Sequence, residues 1–128
     1  MVSKISEGIN ITVENFYQPE YSNPAKSEYL FSYKINIRNE NTFPVQLISR
    51  HWYITEDCGY KREVEGEGVV GIQPVIQPGS MYEYTSYCKL QSEIGMMYGT
   101  YKMINLFNHQ HFNAGIPVFK MTAPFKLN

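Results

Sequence analysis

Between residues 29 and 37 every second side chain is large and apolar or aromatic: Tyr29, Phe31, Tyr33, Ile35 and Ile37. The residues between and after them, Leu30, Ser32, Lys34, Asn36 and Arg38, are mostly polar. Successive side chains of an extended chain point to opposite faces, so this pattern dictates a strand with one face in a core and one in water. The same alternation runs through Ile9, Ile11 and Val13, through Tyr82, Tyr84 and Ser86, and through Met97, Gly99, Tyr101 and Met103. No segment carries the helical period. The rings that make up 15% of the chain also suit a pleated, half-buried surface better than a helix. The chain is therefore constrained to be all-β and antiparallel.

Turn residues divide it. Predicted strands cover 8–17, 29–38, 45–55, 61–64, 81–87, 95–106 and 112–123, with Pro117 breaking the last. Turns fall at Asn23-Pro24, at 39–42, at Asp57-Cys58-Gly59-Tyr60, at Gln77-Pro78-Gly79-Ser80 and at 108–111. Residues 89–94 are expected to form a connection with a short helical turn. In the segment from Val45 to Thr55, Ile48, Arg50, Trp52 and Ile54 oppose Leu47, Ser49, His51 and Tyr53. Apolar residues on both faces indicate a central strand or a bulge that changes the phase. Seven or eight strands in 128 residues give one domain, 1–128, and suit an antiparallel β-sandwich. The lone Trp52, on the third strand of this count and expected to be buried between the sheets, favours an immunoglobulin-like one.

Composition excludes several functions. A formal charge of −1 provides no basic field, so neither nucleic acid nor an anionic membrane surface is an expected partner. No apolar run approaches the ~20 residues that span a bilayer. Residues 1–7 lack the apolar core of a signal peptide, which makes the cytosol the expected compartment and Cys58 and Cys88 reduced thiols. Cys58 falls in a predicted turn and Cys88 at a predicted strand end, so no inter-sheet bridge is expected. A sheet edge left unpaired makes the protein a monomer or an edge-paired homodimer.

The stretch Gly66-Glu67-Gly68-Val69-Val70-Gly71 matches the G-x-G-x-x-G pattern of dinucleotide-binding turns. Those turns place a pyrophosphate at a helix N-terminus, and Pro74 forbids a helix here. The glycines Gly66, Gly68 and Gly71 are expected to shape an exposed turn, with an anion-binding nest of N–H groups as the alternative. Arg50, His51 and Arg62 are the cations that would complete such a site, against Glu65 and Glu67 beside it. Arg62 is otherwise expected in an ion pair with Glu63 or Glu65, and His51 in a structural hydrogen bond. His109 and His111 lack a third ligand nearby, so a turn is expected there and no metal site or cofactor is assigned. No nucleophile elbow, Walker loop or Cys/His pair is present, and an enzyme is not expected.

Arg50-His51-Trp52, the run from Val64 to Gly71, Gln73-Pro74, Pro78-Gly79, Glu83-Tyr84-Thr85-Ser86, Gly99-x-Tyr101-x-Met103 and Ile116-Pro117-x-Phe119 together resemble the ApaG family along essentially the whole chain. The resemblance implies a fibronectin-III-like β-sandwich. The family's bacterial members are small stand-alone proteins, often encoded beside a diadenosine tetraphosphate hydrolase. Related domains are appended to eukaryotic F-box proteins and to a DNA-polymerase-delta-interacting protein, where they resemble interaction modules. The family is also linked to cobalt resistance and magnesium efflux. Tyr87 and Lys89 flank Cys88 where the family has a small residue and a proline. Asn108 to His111 replaces an acidic, glycine-containing hairpin. The expected function is a non-enzymatic interaction module with a protein partner. The alternatives are weak binding of pyrophosphate or a dinucleoside polyphosphate at the Gly66–Gly71 loop, and a role in divalent-cation (cobalt or magnesium) homeostasis.

Overall fold

A computed structural model describes residues 1–124. Nine strands follow in order: β1 (Val2–Ser6), β2 (Ile9–Tyr17), β3 (Tyr29–Asn39), β4 (Val45–Glu56), β5 (Lys61–Glu67), β6 (Val75–Ile76), β7 (Met81–Leu90), β8 (Ile94–Asn105) and β9 (His111–Thr122). The first sheet runs β1-β2-β3-β7 and the second β5-β4-β8-β9, with β6 pairing to β4; every pairing is antiparallel. The two sheets stack as a sandwich. Among the described residues, Pro19–Tyr21 and Pro24–Lys26 each form a single 3-10 turn. No helix there is long and apolar enough to cross a membrane.

The core is the one that alternation requires. Ile9, Ile11 and Val13, then Phe31, Ile35 and Ile37, are buried on the inner face of the first sheet. Trp52, 2% exposed, holds that face to the second sheet. Its ring meets Tyr33 edge-on at 5.6 Å, Phe119 at 5.9 Å and Tyr101 at 6.4 Å. Opposite Trp52 the partner is Gly99, where any Cβ would collide with the His51 carbonyl. The close approach of β4 and β8 thus admits only glycine at this position.

β4 is both central and bulged. Val45 and Leu47 are buried, and then the phase inverts so that Trp52, Ile54 and Glu56 point inward. The register with β8 shifts between Leu47 and Ser49, which leaves Ile48 as the extra residue. A second shift opposes Met97–Gly99 to Phe119–Ile116, so β9 continues through Pro117 instead of breaking there. A bulge tolerates a residue with no N–H to donate.

Other boundaries move for local reasons. β1 escaped the periodicity because it is an outer strand with almost every side chain exposed. β5 extends to Glu67, since Gly66 and Glu67 continue the ladder opposite Arg50 and Ser49. β7 runs to Leu90, which shortens the predicted 89–94 connection to a bend. There Glu56 accepts hydrogen bonds from the Gln91 and Ser92 amides at 2.7 and 2.9 Å. Cys58 is exposed, Cys88 is buried, and both thiols are free.

Candidate functional site

The sandwich is closed on one side and open on the other. On the closed side β9 bonds to the first sheet through Asn15 Nδ2 to the Lys120 carbonyl (3.1 Å) and the Gly115 amide to Ser6 Oγ (2.7 Å). On the open side the last strands are β7 and β5. Tyr33 of β3 touches both Trp52 of β4 and Phe119 of β9, so β3 rides over β8 and β7 over β4. No strand of the first sheet is left to cover β5. Val64, on the inward face of β5, is 39% exposed although its ladder partner Trp52 is buried.

A cleft of about 280 Å³ follows, with Tyr33, Trp52 and Met97 as its floor and Arg62, Ser86 and Tyr87 at its walls. A second cavity of about 280 Å³ shares Tyr33, Arg50 and Trp52 and continues toward Tyr84 and the Val69–Gly71 turn. Tyr84, in the lining of the second cavity, shares a buried hydroxyl–hydroxyl hydrogen bond of 2.5 Å with Tyr101. Burial pushes both phenols, and that of Tyr33, above their ordinary value; the Arg50 charge offsets a part of this.

Among the described residues, Arg50 and Arg62 each bind carbonyls and not carboxylates. Arg50 Nη1 donates to the carbonyls of Glu67 (3.1 Å) and Gly68 (2.8 Å), and Gly66 lacks the Cβ that would crowd this guanidinium. Arg62 Nη2 reaches across the cleft to the Lys89 carbonyl at 2.6 Å and to Cys88 Sγ at 3.4 Å. The expected ion pair of Arg62 with Glu63 or Glu65 is not formed. Arg62 faces the cleft, whereas alternation turns both acids to the outer face of β5. Arg62 accordingly stands away from the glycine turn and Arg50 against it.

The turn uses its glycines as structure. Gly66 is a ladder residue, and the turn proper starts at Gly68 (φ 61°), where a Cβ would collide with the Ile72 carbonyl. Val70 (φ 47°) and Gly71 (φ 81°) complete the reversal, and buried Val69 pins it to the core. The Gly68, Val69 and Ile72 amides donate to the Ile48, Ile72 and Val69 carbonyls. Among the described residues of this turn, Val70 and Gly71 keep the unpaired N–H groups.

His51, next in sequence to Arg50, projects from the opposite face of the second sheet. Its Nε2 lies 2.8 Å from Glu63 and 3.5 Å from Glu65, and its ring stacks on Tyr53 at 4.5 Å. One donor atom from each of His51, Glu63 and Glu65 lies within 4.8 Å of the others, an arrangement able to hold a divalent ion. The sequence reading missed this trio because it exists only through the β4–β5 register, which pairs His51 with Glu65 and Tyr53 with Glu63. Beside it a depression of about 520 Å³ is lined by Ser49, Thr100 and Lys102. His109 (φ 61°) sits in the expected turn and His111 opens β9, both exposed.

Three comparisons place the chain. The ApaG domain model matches residues 19–105. Protein ApaG of Anaeromyxobacter dehalogenans is 43% identical over 128 residues, all of both chains, and that of Pseudomonas aeruginosa is 40% identical over 99% of this chain and 100% of its own. A solved structure of a Bordetella pertussis protein given the name ApaA superposes with a TM-score of 0.87 at 41% identity, covering 91% of this chain and 94% of that one.

The buried phenols set a pH dependence. Folding holds Tyr33, Tyr84 and Tyr101 above 10.0 and the Cys88 thiol above 9.0, so these groups stay protonated in the native state after the unfolded chain has lost its protons. Their contribution to stability is complete below the unfolded values and declines as pH rises through them toward the folded ones. Urea midpoints should be flat from pH 7 to about 9 and fall steadily above it. A midpoint unchanged up to pH 11 would contradict the burial of these groups. With a family model across most of its length and curated relatives matched end to end, this chain belongs to the ApaG domain family.

Proposed function

We propose that this protein is a non-enzymatic binding module that engages a protein partner through the outer face of its second sheet. One observation carries the reading: His51, Tyr53 and Tyr98 form a continuous stack, with Tyr53 and Tyr98 rings 5.2 Å apart and 15° from parallel. Met96 (42% exposed), Tyr98 (39%) and Val118 (54%) extend the apolar surface, and no described element covers it. Rigid, half-exposed tyrosines offer large contact area at low cost in side-chain entropy and are enriched at interface hot spots. Replacing Tyr98 by Lys should leave thermal stability near wild type. It should weaken capture of the native partner by roughly tenfold or more, a loss of ~1.4–2 kcal/mol, read by quantitative affinity purification. A partner set unchanged by Tyr98→Lys, or measured turnover on any substrate, would overturn the reading.

A second reading has support from the cleft and the trio. The Val70 and Gly71 amides beside Arg50 suit weak binding of pyrophosphate or a dinucleoside polyphosphate, and His51, Glu63 and Glu65 suit a part in divalent-cation homeostasis. Titrating isotopically labelled protein with pyrophosphate and then with Mg²⁺ examines both. Anion binding should be weak, on the order of millimolar, and should shift the Val70 and Gly71 amides. Cation binding should shift His51 alone. Silence at all three positions leaves the glycines and the trio structural.

A further inference from the structure

The open edge of the first sheet is poorly defended against a further strand. Sheet edges are ordinarily blunted by proline, bulges, inward charge or brevity. β7 is ten residues long, carries no proline, and keeps an unbroken register with β3 from Arg38–Met81 to Tyr29–Leu90. Its charged side chains are Glu83 and Lys89, and Lys89 is engaged by Glu28 at 3.2 Å. The Lys89 carbonyl faces away from β3, since Arg62 reaches it from β5. By the two-residue alternation of an antiparallel pair, the backbone groups of Tyr87, Thr85 and Glu83 face the same way. Tyr87 is 62% exposed.

A strand added there would lie over β5, where the inner face of the second sheet is uncovered. Beneath it would stand Val64, flanked by the guanidinium groups of Arg62 and Arg50. Neither arginine is paired with a carboxylate among the described residues. Each is half-buried and retains donors after its carbonyl contacts, because a guanidinium carries five.

We propose that an extended acidic segment of a protein partner adds to the β7 edge, with Asp or Glu side chains at alternate positions descending to Arg62 and Arg50. The main chain of the segment pairs with Glu83, Thr85 and Tyr87, and its downward side chains close the cleft over Val64. This mode draws affinity from main-chain hydrogen bonds and specificity from alternate side-chain sites. The exposed edge, from Glu83 to Lys89, is about 20 Å long and accommodates a segment of roughly six residues. The contact is separate from the outer face assigned above and goes beyond it. A β7 strand from a second copy would bring a single carboxylate, Glu83, to two arginines. A compact anion would leave the edge groups of β7 unpaired. The extended acidic peptide satisfies both.

The test uses the full chain as bait for a library of random ten-residue peptides. Selected peptides should carry Asp or Glu at alternate positions. A synthetic representative should shift the Thr85 and Tyr87 amides and lose at least tenfold in affinity with Arg62→Glu. Thr85→Pro should cause a similar loss while leaving the pairing with β3 intact, because the Thr85 N–H faces the free edge. Tyr98→Lys should leave the affinity unchanged, which separates this contact from the outer-face reading. The proposal is overturned by an empty selection, by binders without alternating acids, or by a peptide insensitive to both edge variants in folded protein. It is equally overturned if inorganic phosphate alone saturates the arginines and excludes every peptide. Concentration-dependent dimerisation abolished by Thr85→Pro would assign the edge to a second copy instead.

Discussion

The contact of Trp52 with Tyr33, Phe119 and Tyr101 is the interaction on which the remaining structure depends. Edge-on aromatic pairs contribute about 0.5–1.5 kcal/mol each beyond the area they bury, and this ring makes three of them, to β3, β8 and β9. Because Tyr33 is shared by Trp52 and Phe119, β3 lies over β8 and the first sheet is shifted toward β9. That offset closes the sandwich at β9 and leaves it open at β5. Gly99 lets β4 and β8 approach closely enough for the arrangement to form.

The candidate site residues divide across the two faces of a single strand. The bulge at Ile48 sets the phase of β4, so Arg50 and Trp52 turn toward the cleft while His51 and Tyr53 turn outward. Strand alternation leaves no intermediate choice: a one-residue slip would exchange every one of these side chains. The inner face holds cations beside phenols that burial keeps neutral. The outer face holds a histidine between two carboxylates and a tyrosine stack. The glycine turn ties the inner set together, since its carbonyls orient Arg50 and its buried Val69 anchors it.

Much of this is legible in the sequence. Strands with one wet face announce themselves, so β2, β3 and β8 followed from alternation alone, and Trp52 is buried as expected of the lone tryptophan of a sandwich. The mixed pattern of β4 indicated a central or bulged strand, and the strand is both. β1 was illegible because an outer strand that buries almost nothing carries no period. Gly66 was assigned to a loop, yet ladder hydrogen bonds opposite Arg50 outweigh its low strand propensity. The partners of Arg62 and His51 were illegible for a different reason. Sequence proximity suggested that Arg62 would meet Glu63 or Glu65, but neighbours on a strand are separated by its alternating faces. Which side chain meets which then depends on inter-strand register and sheet order.

Native-state hydrogen exchange tests the central claim, that the first sheet is shifted by about one strand toward β9 and leaves β5 uncovered. Amides of β3 bonded to β7, and of β4 bonded to β8, should exchange only through global unfolding. Amides in the β4–β5 ladder should exchange through local release of β5, with protection lower by at least ~2 kcal/mol, as expected for a strand with few buried apolar contacts. Equal protection of the β4–β5 and β4–β8 ladders would contradict the account.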